Sequence, residues 1–275
     1  MAGATGYMTD SLAPFFPPYF HLWHIPATFF SGLIGEGYAT VVGSGGVLIQ
    51  FVLAALGMPI VNVVATDLAG CVGADVGIIV TSAPPKRVWN KRKLLLQLAV
   101  PLFLGGIAGT LFLIYVPSDL LKYILIVGLS LLLMRLFVEK RTILRALEDV
   151  HVDMKHYPLL FILLFVLGVY GNISGVGSGT FLKLVLLSIL RISVVDSISV
   201  GSIITMPSSI FSFVMTALAG LIMWPYCLTL WVGTFIGGRY ATKFAQKVPD
   251  HYMRWLLIFI ISLYLIWLLA SLHAH

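Results

Sequence analysis

FLGGIAGTLFLIYVPSDLLKY, residues 103–123, and FIGGRYATKFAQKVPDHYMRW, residues 235–255, align without a gap at an offset of 132. Phe103, Gly105, Gly106, Val116, Pro117, Lys122 and Tyr123 of the first stretch meet Phe235, Gly237, Gly238, Val248, Pro249, Arg254 and Trp255 of the second. An F-x-G-G, a V-P at the same distance and then a basic-aromatic pair are too many coincidences for unrelated segments. A second pair, GSGGVLIQFVL at 43–53 and VGSGTFLKLVL at 176–186, matches at an offset of 133. Self-similarity at a fixed spacing marks a duplicated architecture. We read residues 1–275 as one transmembrane domain holding two repeats, about 20–138 and 157–272.

The solvent of this domain follows from its composition. Of its 275 residues 59% are hydrophobic and 10% charged, against about 25% charged in an ordinary soluble domain. Runs such as 94–116, 119–138 and 252–272 reach the length of about 20 apolar residues that a helix needs to cross a bilayer. A soluble core would be broken by polar turns every 8–20 residues or so. The fold class is therefore an all-α integral membrane protein with about 8–10 membrane segments. The formal charge of +6 sits mostly in short connectors, a topological signal and not a nucleic-acid surface. No Lys or Arg precedes Lys86, so the basic n-region of a cleavable signal is absent and the opening segment stays in the mature protein. Cys71 and Cys227 are isolated, which suits buried small side chains and neither a disulfide framework nor a metal site.

Each repeat has the same layout: a span running into a glycine cluster, a short apolar stretch, a long span and two further spans. These lie near 22–42, 45–56, 60–82, 94–116 and 119–138, then near 157–174, 178–190, 194–220, 224–243 and 252–272. The second stretch of each set has about a dozen residues, half of what a crossing needs at about 1.5 Å each. It reads as a half-length or re-entrant helix. Lys and Arg in short loops mark the cytoplasmic side. Lys86, Arg87, Lys91, Arg92 and Lys93 place 83–93 inside, as do the basic residues of 139–156 and 239–254, whereas the uncharged 223–225 belongs outside. This places both termini outside and makes the two repeats inverted, the arrangement in which secondary transporters hold substrate near the midplane at broken helices.

Gly43, Gly45 and Gly46 of the first break and Gly175, Gly177 and Gly179 of the second are where binding chemistry is expected. Glycine permits unwound backbone, which leaves helix N-termini with unpaired N–H groups and a positive dipole end suited to an oxyanion. Ser44, Ser178 and Thr180 add hydroxyl donors, and Asn172 stands just before the second break, where it caps a broken helix or meets substrate. A charge inside a membrane needs a reason, at about 2.5–3.5 kcal/mol each on insertion scales. Lys183 falls one turn past Thr180, and Gln50 is its counterpart in the first repeat, so the pair is placed to clamp an anion from two sides; snorkelling to the interface is the other account of Lys183. Asp67 and Asp75 lie eight residues apart on one helix face and, with Glu36, are candidates for proton coupling or for structural hydrogen bonding. Gly105, Gly106, Gly109, Gly233 and Gly237 read as close helix packing. No H-E-x-x-H, Walker, G-x-S-x-G or C-x-x-C pattern occurs, so an enzyme and a bound cofactor are not expected.

The order of these motifs resembles the sulfite exporter TauE/SafE family, also called toluene sulfonate uptake permeases, over nearly the whole chain. Members carry in each half a motif like G-L-x-G-I-G-G-G-x-L-x-V-P, then L-G-x-P, then A-T-S. Gly32, Leu33, Gly35, Ser44, Gly45, Gly46, Leu48, Leu56, Gly57, Pro59, Ala65 and Thr66 supply it in the first half. Gly168, Gly175, Val176, Gly177, Ser178, Gly179, Val200, Gly201 and Ser202 supply it in the second. The chain departs from the pattern at Glu36 to Thr40, at Gln50 and Phe51 in place of V-P, and at Asp67 in place of the serine of A-T-S. The resemblance implies a carrier of sulfite or an organosulfonate in the cell membrane, more often an exporter. A carboxylate carrier, a membrane-embedded enzyme and an interaction subunit are the alternatives to it.

Overall fold

The computed structural model describes residues 17, 20–42, 45–81, 92–138, 157–189, 194–245 and 250–273. They form ten helices, with no strand among them: α1 His24–Val42, α2 Gly46–Ala55, α3 Ile60–Thr81, α4 Arg92–Tyr115, α5 Ser118–Val138, α6 Tyr157–Ser174, α7 Ser178–Ile189, α8 Val194–Leu218, α9 Trp224–Ala245 and α10 Asp250–His273. Their bounds agree with the apolar spans of the sequence to about two residues, the ordinary uncertainty of a helix end. By length and composition α3, α4 and α8 each contain a stretch able to cross a membrane. The 10-residue α2 and 12-residue α7 are about 15 and 18 Å long, roughly half of a 30 Å hydrocarbon layer. The basic connectors 83–93 and 139–156 lie largely or wholly outside the described residues.

Burial follows this geometry. On α5, Leu121, Leu125, Leu129 and Leu132 recur at helical spacing and are fully buried, while Tyr123, Val127, Leu131 and Met134 on the opposite side are exposed. Both faces are apolar, as expected where the outer one meets lipid rather than water. One core joins α2 and the inner faces of α3, α5 and α10; another joins α4, α6, α7 and α8.

The helices pack across the two repeats more than within them. α1 lies along α9, α6 along α4, and α3 and α8 cross at the centre, with α9 also against α3 and α4 also against α8. The F-x-G-G motifs explain the closeness. A Cβ on Gly105 would strike the Phe165 carbonyl of α6, and one on Gly237 would lie 2.7 Å from the Leu33 carbonyl of α1. The next glycine in each motif turns to the other neighbour: Gly106 faces Ser208 of α8, and Gly238 faces Ala74 of α3. The motif shared by α4 and α9 is therefore a two-sided contact, one glycine per neighbouring helix. Small residues let backbones approach where lipid offers no hydrophobic driving force.

Candidate functional site

The loops before α2 and α7 meet at the centre of the molecule. An ideal Cβ on Gly46 would lie 2.7 Å from the Gly175 carbonyl oxygen and 2.8 Å from Asp67 Oδ2, so only glycine fits there. Gly175 and Gly177 have φ of +67° and +78°, a left-handed backbone that lets the chain turn between α6 and α7. Gly43 and Ser44 lie outside the described residues.

Between the two breaks is a cavity of about 190 Å³. Gly45 and Gly46 line one side of it and Gly175, Ser178 and Gly179 another, with Asn172 of α6 beside them. Glu36 of α1 and Asp67 and Asp75 of α3 bring three carboxyl groups to the wall; no Lys, Arg or His is among its lining residues. Cys71, half-buried and one helical turn from Asp67 and from Asp75, also faces this space. The remaining polar wall is hydroxyl: Thr205, Ser208 and Ser209 from α8 and Thr234 from α9.

Each acid has a distinct partner. Asp67 is 1% exposed and accepts a 2.8 Å hydrogen bond from Gln50 Nε2. Gln50 is itself fully buried, donates at 2.7 Å to the Ser174 carbonyl and accepts at 3.3 Å from the Tyr264 hydroxyl. Asp75 is held from α8 by the Ser209 hydroxyl at 2.8 Å and the Thr205 hydroxyl at 3.4 Å. Glu36 and Lys183 act on each other electrostatically, and Lys183 Nζ donates at 2.6 Å to the Ala39 carbonyl. Asn172 Nδ2 donates to the Gly168 carbonyl at 2.9 Å and to Ser208 Oγ at 3.0 Å, and its Oδ1 accepts from the Ser212 hydroxyl.

Of the residues singled out in the sequence, Glu36, Gly45, Gly46, Asp67, Asp75, Asn172, Ser178 and Gly179 share the cavity wall. Gln50, Gly177, Thr180 and Lys183 stand behind it. Asp67 and Asp75 share a face as their spacing requires, but the acid beside Lys183 is Glu36. Of the hydroxyl residues of α8 the sequence reading names Ser202 alone, as part of the family motif. Their signal is a polar stripe, Ser202, Thr205, Ser208, Ser209, Ser212 and Thr216, recurring every three or four residues in an otherwise apolar helix. Cys71, read as a buried small residue, proves to face the cavity.

The two helix N-termini at the cavity differ. α2 begins without a side-chain cap, and the Asp67 carboxylate stands against its first residue, Gly46. Negative charge is stabilised there by the helix dipole and the unpaired N–H groups. At the start of α7 the wall is Ser178 and Gly179, and the first backbone bonds run from Thr180 and Phe181 to the Gly177 carbonyl; the Asp67 carboxyl lies against Gly175, three residues before Ser178.

The sequence profile of the family described as "Sulfite exporter TauE/SafE" matches residues 28–268. Among curated proteins, the chain is 24% identical over 238 residues to "Probable membrane transporter protein YfcA" of Escherichia coli K12, covering 84% of each chain. It is 24% identical over 248 residues to "Probable membrane transporter protein ORF9" of Sinorhizobium sp, covering 89% of this chain and 90% of that one. It is 25% identical over 167 residues to "Probable membrane transporter protein YdhB" of Bacillus subtilis, covering 56% and 65% respectively. No solved structure matches at a significant level. An all-helical, lipid-suited fold with a polar cavity at two glycine breaks and a family match over most of its length make this chain a membrane transporter of the TauE/SafE family.

Proposed function

We propose that the chain moves a small sulfur-containing oxyanion, sulfite or an organosulfonate, across the cell membrane by alternating access of two inverted halves, with the movement coupled to protons. The observation that carries this reading is the cavity between the breaks, whose wall brings together the start of α7 at Ser178 and Gly179 and three carboxyl groups. The N-terminus of α7 supplies N–H donors and Ser178 a hydroxyl for the oxyanion, with Asn172 beside them. The sulfur preference rests on the family's description. The inverted halves are supported by the exchanged packing of α1 with α9 and α6 with α4, and by the basic loops, which put both termini outside.

Coupling follows from electrostatics. Two like charges about 6 Å apart repel by about 3 kcal/mol at an effective dielectric of 20, a factor of about one hundred in affinity. An anion entering beside ionised Asp67 and Asp75 meets that repulsion; one entering with a proton on either acid does not. The anion and its protons therefore travel together.

Flux of labelled sulfite into proteoliposomes, with and without an imposed pH gradient, tests the reading. We expect saturable flux that the proton gradient accelerates and that organosulfonates inhibit by competition. Competition by carboxylates and not by sulfonates would replace the substrate class. No saturable flux of any of these anions would overturn the reading.

A further inference from the structure

Gln50 and Lys183 occupy equivalent places in the two short helices, five residues past the last aligned glycine-serine pair of each break in the first repeat and in the second. Their hydrogen bonds are equivalent too, in a crossed sense. Gln50 of α2 reaches out of its own repeat to the Ser174 carbonyl, at the end of α6. Lys183 of α7 reaches out of its own repeat to the Ala39 carbonyl, near the end of α1. Each short helix is thus tied to the long helix that runs into the opposite glycine break, and each tie has a carboxylate beside it, Asp67 for Gln50 and Glu36 for Lys183.

We propose that these two ties are reciprocal clasps, the release points of the two gates, and that Gln50 and Lys183 are positioning residues and do not bind the substrate. This rests on the reading that the chain works by alternating access between its halves.

α2 and α7 are each about half a membrane thick and begin at the cavity. With the basic loops inside, α2 runs from the break towards the outer face and α7 from the break towards the inner one. Opening the cavity outward separates α2 from α6, which stretches the Gln50 to Ser174 bond. Opening it inward separates α7 from α1, which stretches the Lys183 to Ala39 bond. Both carbonyls end helices, where acceptors lack a helical partner, so each clasp satisfies a group that would otherwise be left bare in a dry interior. Both clasps are made in the structure. The clasps differ in chemistry: the Gln50 donor is a neutral amide bonded also to Asp67, whereas the Lys183 donor is an ammonium that interacts with Glu36.

Cys71 provides the test, because its thiol faces the cavity in the native chain. In a Cys227→Ala background, alkylation of Cys71 by a membrane-impermeant maleimide is measured without substrate, in right-side-out and in inverted vesicles. Gln50→Met and Lys183→Met match the originals in length and lack the donor. Each should raise the labelling rate from one face only, and the two faces should be opposite. The increase should be about tenfold for Gln50→Met and larger for Lys183→Met, whose donor is charged. Lys183→Gln and Gln50→Lys keep a donor and should return labelling towards the unmodified rate. The proposal is overturned if both Met variants open the same face, if neither changes labelling, or if the donor-keeping variants label like the Met variants. A variant that merely unfolds labels equally from both faces, and this also counts against it. Since no transported anion is present, the result stands whether or not sulfite proves to be the substrate.

Discussion

Asp67 touches both glycine breaks and is the clearest departure from the family motif, standing where A-T-S has serine. Its position against Gly46 and beside the cavity gives it two effects, on the backbone of the first break and on any anion in the cavity. The sign of its pH effect is fixed by charge. A neutral Asp67 admits an anion and an ionised one repels it, so binding is full at low pH and is lost as pH rises through the titration of this group. Asp67→Asn keeps an acceptor for Gln50 and removes the charge. We expect it to bind an organosulfonate, whose own charge is constant, with a weaker dependence on pH than the parent protein, Asp75 and Glu36 still titrating in the cavity wall; calorimetry across the pH range checks this. An unchanged pH profile would assign Asp67 to the structure of the break alone. The equivalence of Gln50 and Lys183 was legible in the sequence because the repeats align there. Their partners were not, because Ser174 and Ala39 take part through backbone carbonyls, and a carbonyl has no residue type to read.

Helices α4 and α9 show what one short motif can specify. F-x-G-G reads in sequence only as close packing; in three dimensions its two glycines serve two different neighbours. Gly105→Leu and Gly237→Leu should each separate a helix pair, and overpacking of this kind costs about 1–3 kcal/mol even where a core can adjust. We expect both variants to lower the thermal unfolding midpoint in detergent, with Gly37→Ala as the control, because a Cβ at Gly37 meets nothing within 4 Å. Equal midpoints for Gly105→Leu and Gly37→Ala would refute the packing account. Element positions were legible because apolar runs and glycine breaks are local signals. The choice of neighbours was not, since α1 finds α9 about two hundred residues along the chain, a pairing no local pattern encodes.

For the whole molecule, orientation is the prediction most exposed to test. If the basic loop faces the cytoplasm, as its Lys and Arg residues predict, a cysteine introduced at Asn90 should resist an impermeant reagent in intact cells and react once the membrane is opened. Reaction from outside would reverse the halves. The pairing of the two repeats has a further consequence, which comes from the unequal helix ends described above. A duplicated carrier with two like ends would offer two seats. On the proposed reading Asp67, which stands against Gly46, fills the first seat, and the end at Ser178 receives the guest. The ratio of cargo to polypeptide at saturation should therefore be one to one. On that reading the duplication keeps the layout of both halves and turns one of them into a built-in counterweight in place of a second passenger.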